Sequence, residues 1–194
     1  MLVEIWSDIA CPWCYVGKRR FEQALEAFEH RDDVQAREME QRMVDTAAAE
    51  GLDFRFDIAR SGTTFDAHRI VHLAQQHGLQ DAMKERLLRA YFTEGELMSD
   101  HEALVRLAGE VGIEEDEVRV TLGGDRYAAD VRDDERTAAQ LGIRAVPTFV
   151  IDRALGASGA QPPSELLALL SQGWDARPSQ PVLAVGETCA ADGC

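Results

Sequence analysis

Two β-rich runs near opposite ends of the sequence constrain its fold more than any other feature. Residues 2–6 (LVEIW) and 148–152 (TFVID) have the apolar, β-branched composition of buried strands, and residues 154–158 are placed to pair with the second run as a hairpin. A stable sheet needs more strands than either run supplies, so neither can fold alone. We therefore predict that the two ends of the chain meet in one sheet, in preference to two independent domains.

The chain between these runs has a helical pattern almost throughout, and core packing of a helical subdomain explains its apolar stripes better than a cofactor site does. We therefore expect an α/β core formed by residues 1–35 and 142–176. Residues 36–141 would form an all-helical insertion, and residues 177–194 a tail. The helices are predicted over residues 12–28, 36–50, 64–77, 80–93, 100–111, 114–122, 124–141 and 163–173.

Charge excludes several classes of partner. The 194 residues include 20 basic and 35 acidic side chains, a net charge of −15. Binding to nucleic acid or to an anionic membrane surface needs clustered Lys and Arg, which this chain lacks. The N-terminal residues do not have the pattern of a secretory leader, and no run approaches the ~18 apolar residues of a membrane span. We expect a cytoplasmic protein, in which paired cysteines are more often catalytic or metal-binding than structural. No feature of the sequence indicates an oligomeric state.

The first cysteine pair lies between a predicted strand and a predicted helix. Cys11, Pro12, Trp13 and Cys14 form a CPWC motif, and Pro12 suits the first position of a helix. Cysteines three residues apart on the first turn lie on one face, where they can close a small disulfide. The helix N-terminus favours the thiolate form of Cys11. We favour redox chemistry, in which Cys11 is the nucleophile and Cys14 the resolving thiol.

Two other interpretations of the cysteines stay open. In one, Cys11 and Cys14 are half of a zinc site that Cys189 and Cys194 complete, although the four-residue gap in the second pair is loose for a zinc knuckle. In the other, the thiols are inert. His68 and His72 share a helix face, but an HxxxH pair alone is weak evidence for a metal site. We therefore predict no metal.

Pro147 directly precedes the second β-rich run. By itself it is explained by the start of a strand, but an X-Pro bond in a tight turn is also where cis peptides occur. Downstream of a strand–CxxC–helix unit, we favour a cis Val146–Pro147 bond in a loop that faces the cysteines. The main chain of Val146 would then pair with an extended substrate segment.

Four stretches carry a resemblance to a known family. The sequence is similar to DsbA-like thioredoxin-fold oxidoreductases, and in particular to their FrnE-like branch. The resemblance implies a thioredoxin fold with an all-helical insertion, an active CPWC, a cis-proline at Pro147, and thiol–disulfide exchange on proteins or small disulfides. The matching stretches are EIWSDIACPWCYVGKRRFE (4–22), GTTFDAHRIVHLA (62–74), GIRAVPTFVID (142–152) and GASGAQP (156–162).

Further residues are candidates for the site, and the resemblance bears on His68 and on the tail cysteines among them. His68, within the FDAHR stretch, is expected to line the cleft, and Trp13 to contact substrate. Asp8 precedes Cys11 by three residues and either affects proton transfer or, as Asp more often does, caps the helix. Some FrnE-like proteins have a second C-terminal dithiol, so Cys189 and Cys194 are either a second redox pair or two exposed thiols on a mobile tail.

The sequence departs from the family in one place. Members usually have a second strand and a polar loop after the first helix, whereas here Val34 is followed almost at once by the helical pattern from residue 36. The number of strands in the sheet therefore stays open, although the active site does not depend on it.

The function predicted from the sequence is thiol–disulfide oxidoreductase, with isomerase activity as a further expectation. The dithiol carries the two electrons, so no cofactor is required, and glutathione is a candidate redox partner. One alternative is a glutathione-dependent isomerase or transferase of the kappa or hydroxychromene-carboxylate isomerase type, which does not depend on a CxxC pair. The other is a zinc-binding module without catalytic activity.

Overall fold

The computed structural model describes residues 1, 3–30, 43–55 and 58–177. Within these ranges the chain forms three strands and eight helices. In chain order they are β1 Val3–Trp6, α1 Pro12–Glu26, α2 Met43–Ala49, α3 Phe65–Gln76, α4 Gln80–Phe92, α5 His101–Glu110, α6 Glu115–Gly123, α7 Ala128–Gln140, β2 Thr148–Ile151, β3 Leu155–Ser158 and α8 Pro163–Asp175. The tail cysteines Cys189 and Cys194, and the place after α1 where the family has a second strand, lie outside the described residues.

The two ends of the chain meet in one sheet, as the sequence predicted. Strand β2 lies between β1 and β3 and is antiparallel to both, with Val3 opposite Ile151 and Thr148 opposite Ser158. Helices α1 and α8 pack on this sheet, where the ring of Phe21 stacks on that of Phe149 with centroids 5.4 Å apart. This arrangement confirms the predicted fold class, a small sheet interrupted by a helical insertion.

A second core lies within the insertion and a third joins the insertion to α1. The second core is formed by buried apolar side chains of α3 to α6, and it includes Ile9 from the turn before α1. The third surrounds Cys14 and Tyr15 of α1 with Phe54 and with Leu88 and Phe92 of α4. The start of α1 is therefore packed between the sheet and the insertion.

Lys18 reinforces the contact between α1 and α4. Its side chain is only 1% exposed, and its Nζ lies 2.6 Å from Asp81 Oδ1 and 2.8 Å from Glu22 Oε1. One turn earlier on α1, the Tyr15 hydroxyl donates a hydrogen bond to Glu85 on α4. Burial and this bond to Glu85 raise the pKa of Tyr15. A buried ammonium group requires such carboxylate partners, so this network ties α1 to α4 in one arrangement.

The boundaries of two helices differ from the prediction. The helix predicted over residues 124–141 begins only at Ala128, so the prediction was wrong for its first four residues. The N-cap residue Tyr127 has a positive φ of 62°, and the buried Arg69 donates to the main-chain carbonyls of Thr121 in α6 and of Gly124 and Arg126 in the connection that follows it. The helix predicted over residues 36–50 is described only from Met43, because residues 31–42 lie outside the described ranges.

Candidate functional site

Cys11 and Cys14 lie on the first turn of α1. Cys11 is the N-cap residue, with extended backbone angles (φ −96°, ψ 105°), and Pro12 begins the helix. The Cys14 N–H donates to the Cys11 carbonyl at 3.0 Å. The two thiols are not joined by a disulfide. Their exposure differs, because Cys14 is completely buried whereas Cys11 is partly exposed. An incoming group can therefore contact Cys11, while Cys14 is shielded from solvent.

The turn between β1 and α1 places Asp8 against the cysteines. The Asp8 main-chain N–H donates to Cys14 Sγ at 3.1 Å, and the Asp8 carbonyl accepts from the Cys11 N–H at 3.3 Å. The Asp8 carboxylate accepts from the Ala10 N–H at 3.1 Å, and α1 has no side-chain cap. The interpretation of Asp8 as a helix cap was therefore wrong, because its side chain bonds within the turn rather than to the first turn of the helix.

The Asp8 carboxylate is held as an anion. His68 Nε2 on α3 lies 3.7 Å from Asp8 Oδ1, which brings together the core and the insertion beside the cysteines. Burial acts to raise the pKa of Asp8, but hydrogen bonds and charge from His68, with further bonds from Ala10 and Thr64, outweigh it and lower the pKa to about 2.

The loop before β2 lies on the same side of the molecule as the cysteines. The Val146–Pro147 peptide bond is cis, Pro147 is buried, and its carbonyl accepts from the Gly159 N–H at 2.9 Å. Val146 packs against the third core, as do Cys11 and Trp13. The structure therefore brings three of the residues selected from the sequence to the border of one apolar cluster.

A cavity of about 550 Å³ opens beside this cluster, between the end of β1, the loop before β2 and helices α3 and α7. Asp8, His68 and Val146 contribute to its wall. So does Lys84, whose Nζ donates to the Ser7 hydroxyl and which is 6% exposed. Lys84 could not be selected from the sequence, since its helical spacing gives no sign that it is buried against the residues before the CPWC motif.

His68 and His72 both line the cavity, but they do not converge on a metal site. His72 Nε2 lies 3.0 Å from Asp134 Oδ2 on α7, whereas His68 pairs with Asp8. Among the described residues, no three His, Cys, Asp or Glu side chains are grouped so that they could hold a metal ion. In the same part of the chain, no helix is long and apolar enough to cross a membrane.

The antiparallel sheet, the helix that begins at a cysteine pair and the helical insertion define a DsbA-like thioredoxin fold. A family model described as the DSBA-like thioredoxin domain matches residues 2–171. The chain belongs to this family of disulfide oxidoreductases, which confirms the family resemblance; its FrnE-like branch stays a prediction.

Comparisons with individual proteins agree with this assignment. The structure of a probable DsbA oxidoreductase from Streptomyces coelicolor superposes with a TM-score of 0.85 at 41% identity and covers 100% of this chain and 98% of that one. The cytosolic disulfide reductase DsbM from Pseudomonas aeruginosa, also solved with GSH, superposes with a TM-score of 0.66 at 19% identity. The match covers 90% of this chain and 99% of that one. The uncharacterised YwbO protein of Bacillus subtilis is 27% identical over 81% of this chain and 90% of its own length.

Proposed function

We propose that the protein is a thiol–disulfide oxidoreductase whose reacting atom is the Cys11 sulfur. The observation that carries the proposal is the pairing of one partly exposed and one fully buried cysteine on a single helical turn. The attacking species in disulfide exchange is a thiolate, and the partly exposed Cys11 lies at the N-terminus of α1. Because Cys14 is shielded, only Cys11 is attacked by, or attacks, a substrate.

The exchange proceeds through a mixed disulfide. In the reducing direction, the Cys11 thiolate attacks a substrate disulfide; a bond forms from Cys11 to one substrate sulfur, and the other leaves as a thiolate. Cys14, as a thiolate, then attacks Cys11; the Cys11–Cys14 disulfide forms and the second substrate sulfur leaves. The substrate gains two electrons and the protein loses two, so no cofactor is needed. The same steps in reverse order oxidise a substrate dithiol. The two directions combined would isomerise a substrate disulfide.

The residues around Cys11 support the binding of an extended substrate segment. Val146 and Trp13 border the same cluster as Cys11, which supports the proposal that an extended peptide pairs with the Val146 main chain. Pro147 has no N–H and is buried. We assign Pro147 to shaping this loop, and Pro12, Trp13, Val146 and His68 to contacting the substrate.

Insulin reduction with a thiol reductant tests the proposal. Wild type is expected to accelerate the precipitation of the insulin chains, and Cys11→Ser to abolish the acceleration. Cys14→Ser is the matched control, because it retains the nucleophile; it is expected to accumulate a mixed disulfide on Cys11 that mass spectrometry detects. Equal rates for wild type and Cys11→Ser would contradict the proposal.

The cavity favours a low-molecular-weight thiol such as glutathione as redox partner. Its volume suits a small ligand, and it borders both Asp8 and Val146 next to the reacting pair. The Pseudomonas protein was solved with GSH, which supports testing that tripeptide first. Turnover of the Cys11–glutathione mixed disulfide should require Cys14. Glutathione-dependent isomerase or transferase activity that survives Cys14→Ser would instead favour the kappa-type alternative.

Three further assignments complete the proposal. We place the protein in the cytoplasm, as the Pseudomonas reductase is in its own cell. We assign Cys189 and Cys194 to a second redox pair that exchanges with the first.

We also propose a division of the chain into a core of residues 1–35 and 142–176, a helical insertion of residues 36–141 and a tail. Stoichiometric zinc in freshly purified protein, lost in Cys11→Ser, would contradict the redox assignment of the cysteines.

A further inference from the structure

Asp8 is the residue around which the turn before α1 is organised. Its N–H contacts Cys14 Sγ and its carbonyl contacts the Cys11 N–H, so a single residue is bonded to both active-site cysteines. Its carboxylate closes the turn by accepting from the Ala10 N–H, and a second element reaches it through His68. Ile9, the next residue, is fully buried in the insertion core, which anchors the turn from the other side.

The hydrogen bond to Cys14 Sγ distinguishes the two redox states. A donor to sulfur stabilises a thiolate more than a disulfide sulfur, because the thiolate carries the full negative charge. When a substrate thiolate attacks Cys11 Sγ in the oxidised protein, the S–S bond breaks and Cys14 leaves with the electron pair. Cys14 is completely buried, so protein donors must replace water in stabilising that charge, and the Asp8 N–H is at hydrogen-bonding distance.

We propose that Asp8 is a positioning residue for Cys14, because its side chain holds the turn in the geometry in which its own N–H reaches the Cys14 sulfur. The consequence is a stabilised dithiol form, a more oxidising Cys11–Cys14 couple and a better leaving group at Cys14. This inference rests on the proposed function, since it concerns the redox equilibrium of the same pair.

The charge of Asp8 acts in the opposite direction from its hydrogen bonds. A carboxylate near Cys14 repels a thiolate and so favours the disulfide, whereas the hydrogen-bonded turn favours the dithiol. Asp8→Asn removes the charge and keeps an oxygen that can accept from the Ala10 N–H. Asp8→Ala removes both the charge and the oxygen that accepts from the Ala10 N–H. Comparing these two variants therefore isolates the contribution of the turn from that of the charge.

The experiment measures the equilibrium of the Cys11–Cys14 couple against a glutathione buffer. It uses the full chain with Cys189 and Cys194 replaced by Ser, so that only one pair exchanges. Asp8→Ala is expected to favour the disulfide about tenfold more than Asp8→Asn does, which corresponds to a potential about 30 mV more negative. Equal equilibrium constants for the two variants would overturn the proposal and leave charge as the only role of Asp8.

Asp100→Ala is the matched control. The Asp100 carboxylate also accepts main-chain N–H bonds, from Glu102 and Ala103 at the start of α5, away from the cysteines. Its loss should destabilise the fold by about 1 kcal/mol through the lost helix cap. The redox equilibrium should not change. A shift equal to that of Asp8→Ala would show that general destabilisation, rather than positioning, moves the couple.

A second measurement needs no substitution at Asp8. In the same Ser-substituted background, the Asp8 amide proton is expected to exchange with solvent at least tenfold more slowly in the dithiol form than in the disulfide form. Equal exchange in both forms would overturn the proposal even if Asp8→Ala does not fold. Either result is separable from the proposed function, which the insulin assay with wild type and Cys11→Ser tests independently of Asp8.

Discussion

At the scale of single residues, Asp8 couples its ionisation to the stability of the fold. Its pKa of about 2 in the folded chain lies below the ordinary value of 3.8. The carboxylate therefore stabilises the folded state above about pH 4, and this contribution is lost as the pH falls from 4 towards 2. Since the side chain is 45% exposed, water screens the pairing with His68, and we expect about 1 kcal/mol rather than the full value of the shift.

Urea unfolding at several pH values tests this coupling. At pH 7, Asp8→Asn should lower the free energy of unfolding by about 1 kcal/mol, because a neutral amide oxygen accepts the hydrogen bonds from Ala10 and Thr64 less strongly than a carboxylate does. The difference from wild type should shrink below pH 4 and vanish only below pH 2, where folded wild-type Asp8 is also protonated. A difference that stays constant from pH 7 to pH 2 would show that the carboxylate charge contributes nothing.

At the scale of elements, the packing of α8 on the sheet depends on a glycine in the last turn of that helix. A Cβ at Gly173 would lie 2.6 Å from Ile151 Cγ2, and Ile151 is itself buried in β2. Alanine is normally favoured over glycine in a helix by about 1 kcal/mol, but a buried β-branched side chain cannot yield that space without strain. We expect Gly173→Ala to lower the free energy of unfolding by about 1–2 kcal/mol.

Gly123 provides the matched control on another helix. It ends α6, it is exposed, and nothing lies within 4 Å of the position that its Cβ would occupy. Here the helical preference of alanine acts alone, so Gly123→Ala should raise the free energy of unfolding by about 0.5 kcal/mol. Thermal or urea unfolding of both variants makes the comparison. Stabilisation by Gly173→Ala would contradict the close approach of α8 to β2.

Local pattern was sufficient to predict the elements, because each depends on residues close together in the chain. The run TFVID and the helical spacing of Ile70 and Val71 predicted β2 and α3. Pattern failed where distant side chains decide the outcome, as where Arg69 binds the carbonyls before α7. The hairpin of β2 and β3 was predicted, but its first strand was predicted one residue too long: β2 ends at Ile151, and Asp152 and Arg153 form the turn with positive φ, a backbone that Asn-Gly usually marks.

The candidate site also contains residues that local pattern predicts and contacts that it does not predict. Cys11, Cys14 and Pro147 could be selected from the sequence because the CPWC motif and the X-Pro bond are local signals. The bond from the Asp8 N–H to Cys14 Sγ could not, since it depends on how tightly the turn folds back on α1. Nor could the burial of Lys84 against Ser7, which joins residues 77 positions apart.

At the scale of the whole molecule, chain geometry decides whether the tail cysteines can reach the active site. Helix α8 ends beside the C-terminal half of α1, where Trp174 contacts Phe28 with ring centroids 6.3 Å apart. Cys11 lies at the other end of α1, about 25 Å away at the helical rise per residue. Eleven residues lie between Arg177 and Cys189, so the twelve Cα-to-Cα steps that join the two residues span at most about 40 Å. The tail is therefore long enough for Cys189 to contact Cys11 within one molecule.

The length of the tail predicts that a disulfide between Cys11 and Cys189 can form within one molecule, and that it depends on the number of residues between Arg177 and Cys189. In Cys14→Ser/Cys194→Ser protein, mild oxidation should join Cys11 to Cys189 at a rate independent of protein concentration, as seen by mass spectrometry of digests. Deleting residues 178–186 leaves a span of only about 10 Å and should abolish the bond. A Gly/Ser segment of nine residues in their place should restore it, since reach rather than sequence is what matters. A bond that persists after the deletion must form between molecules, which would exclude exchange of the tail pair with its own active site.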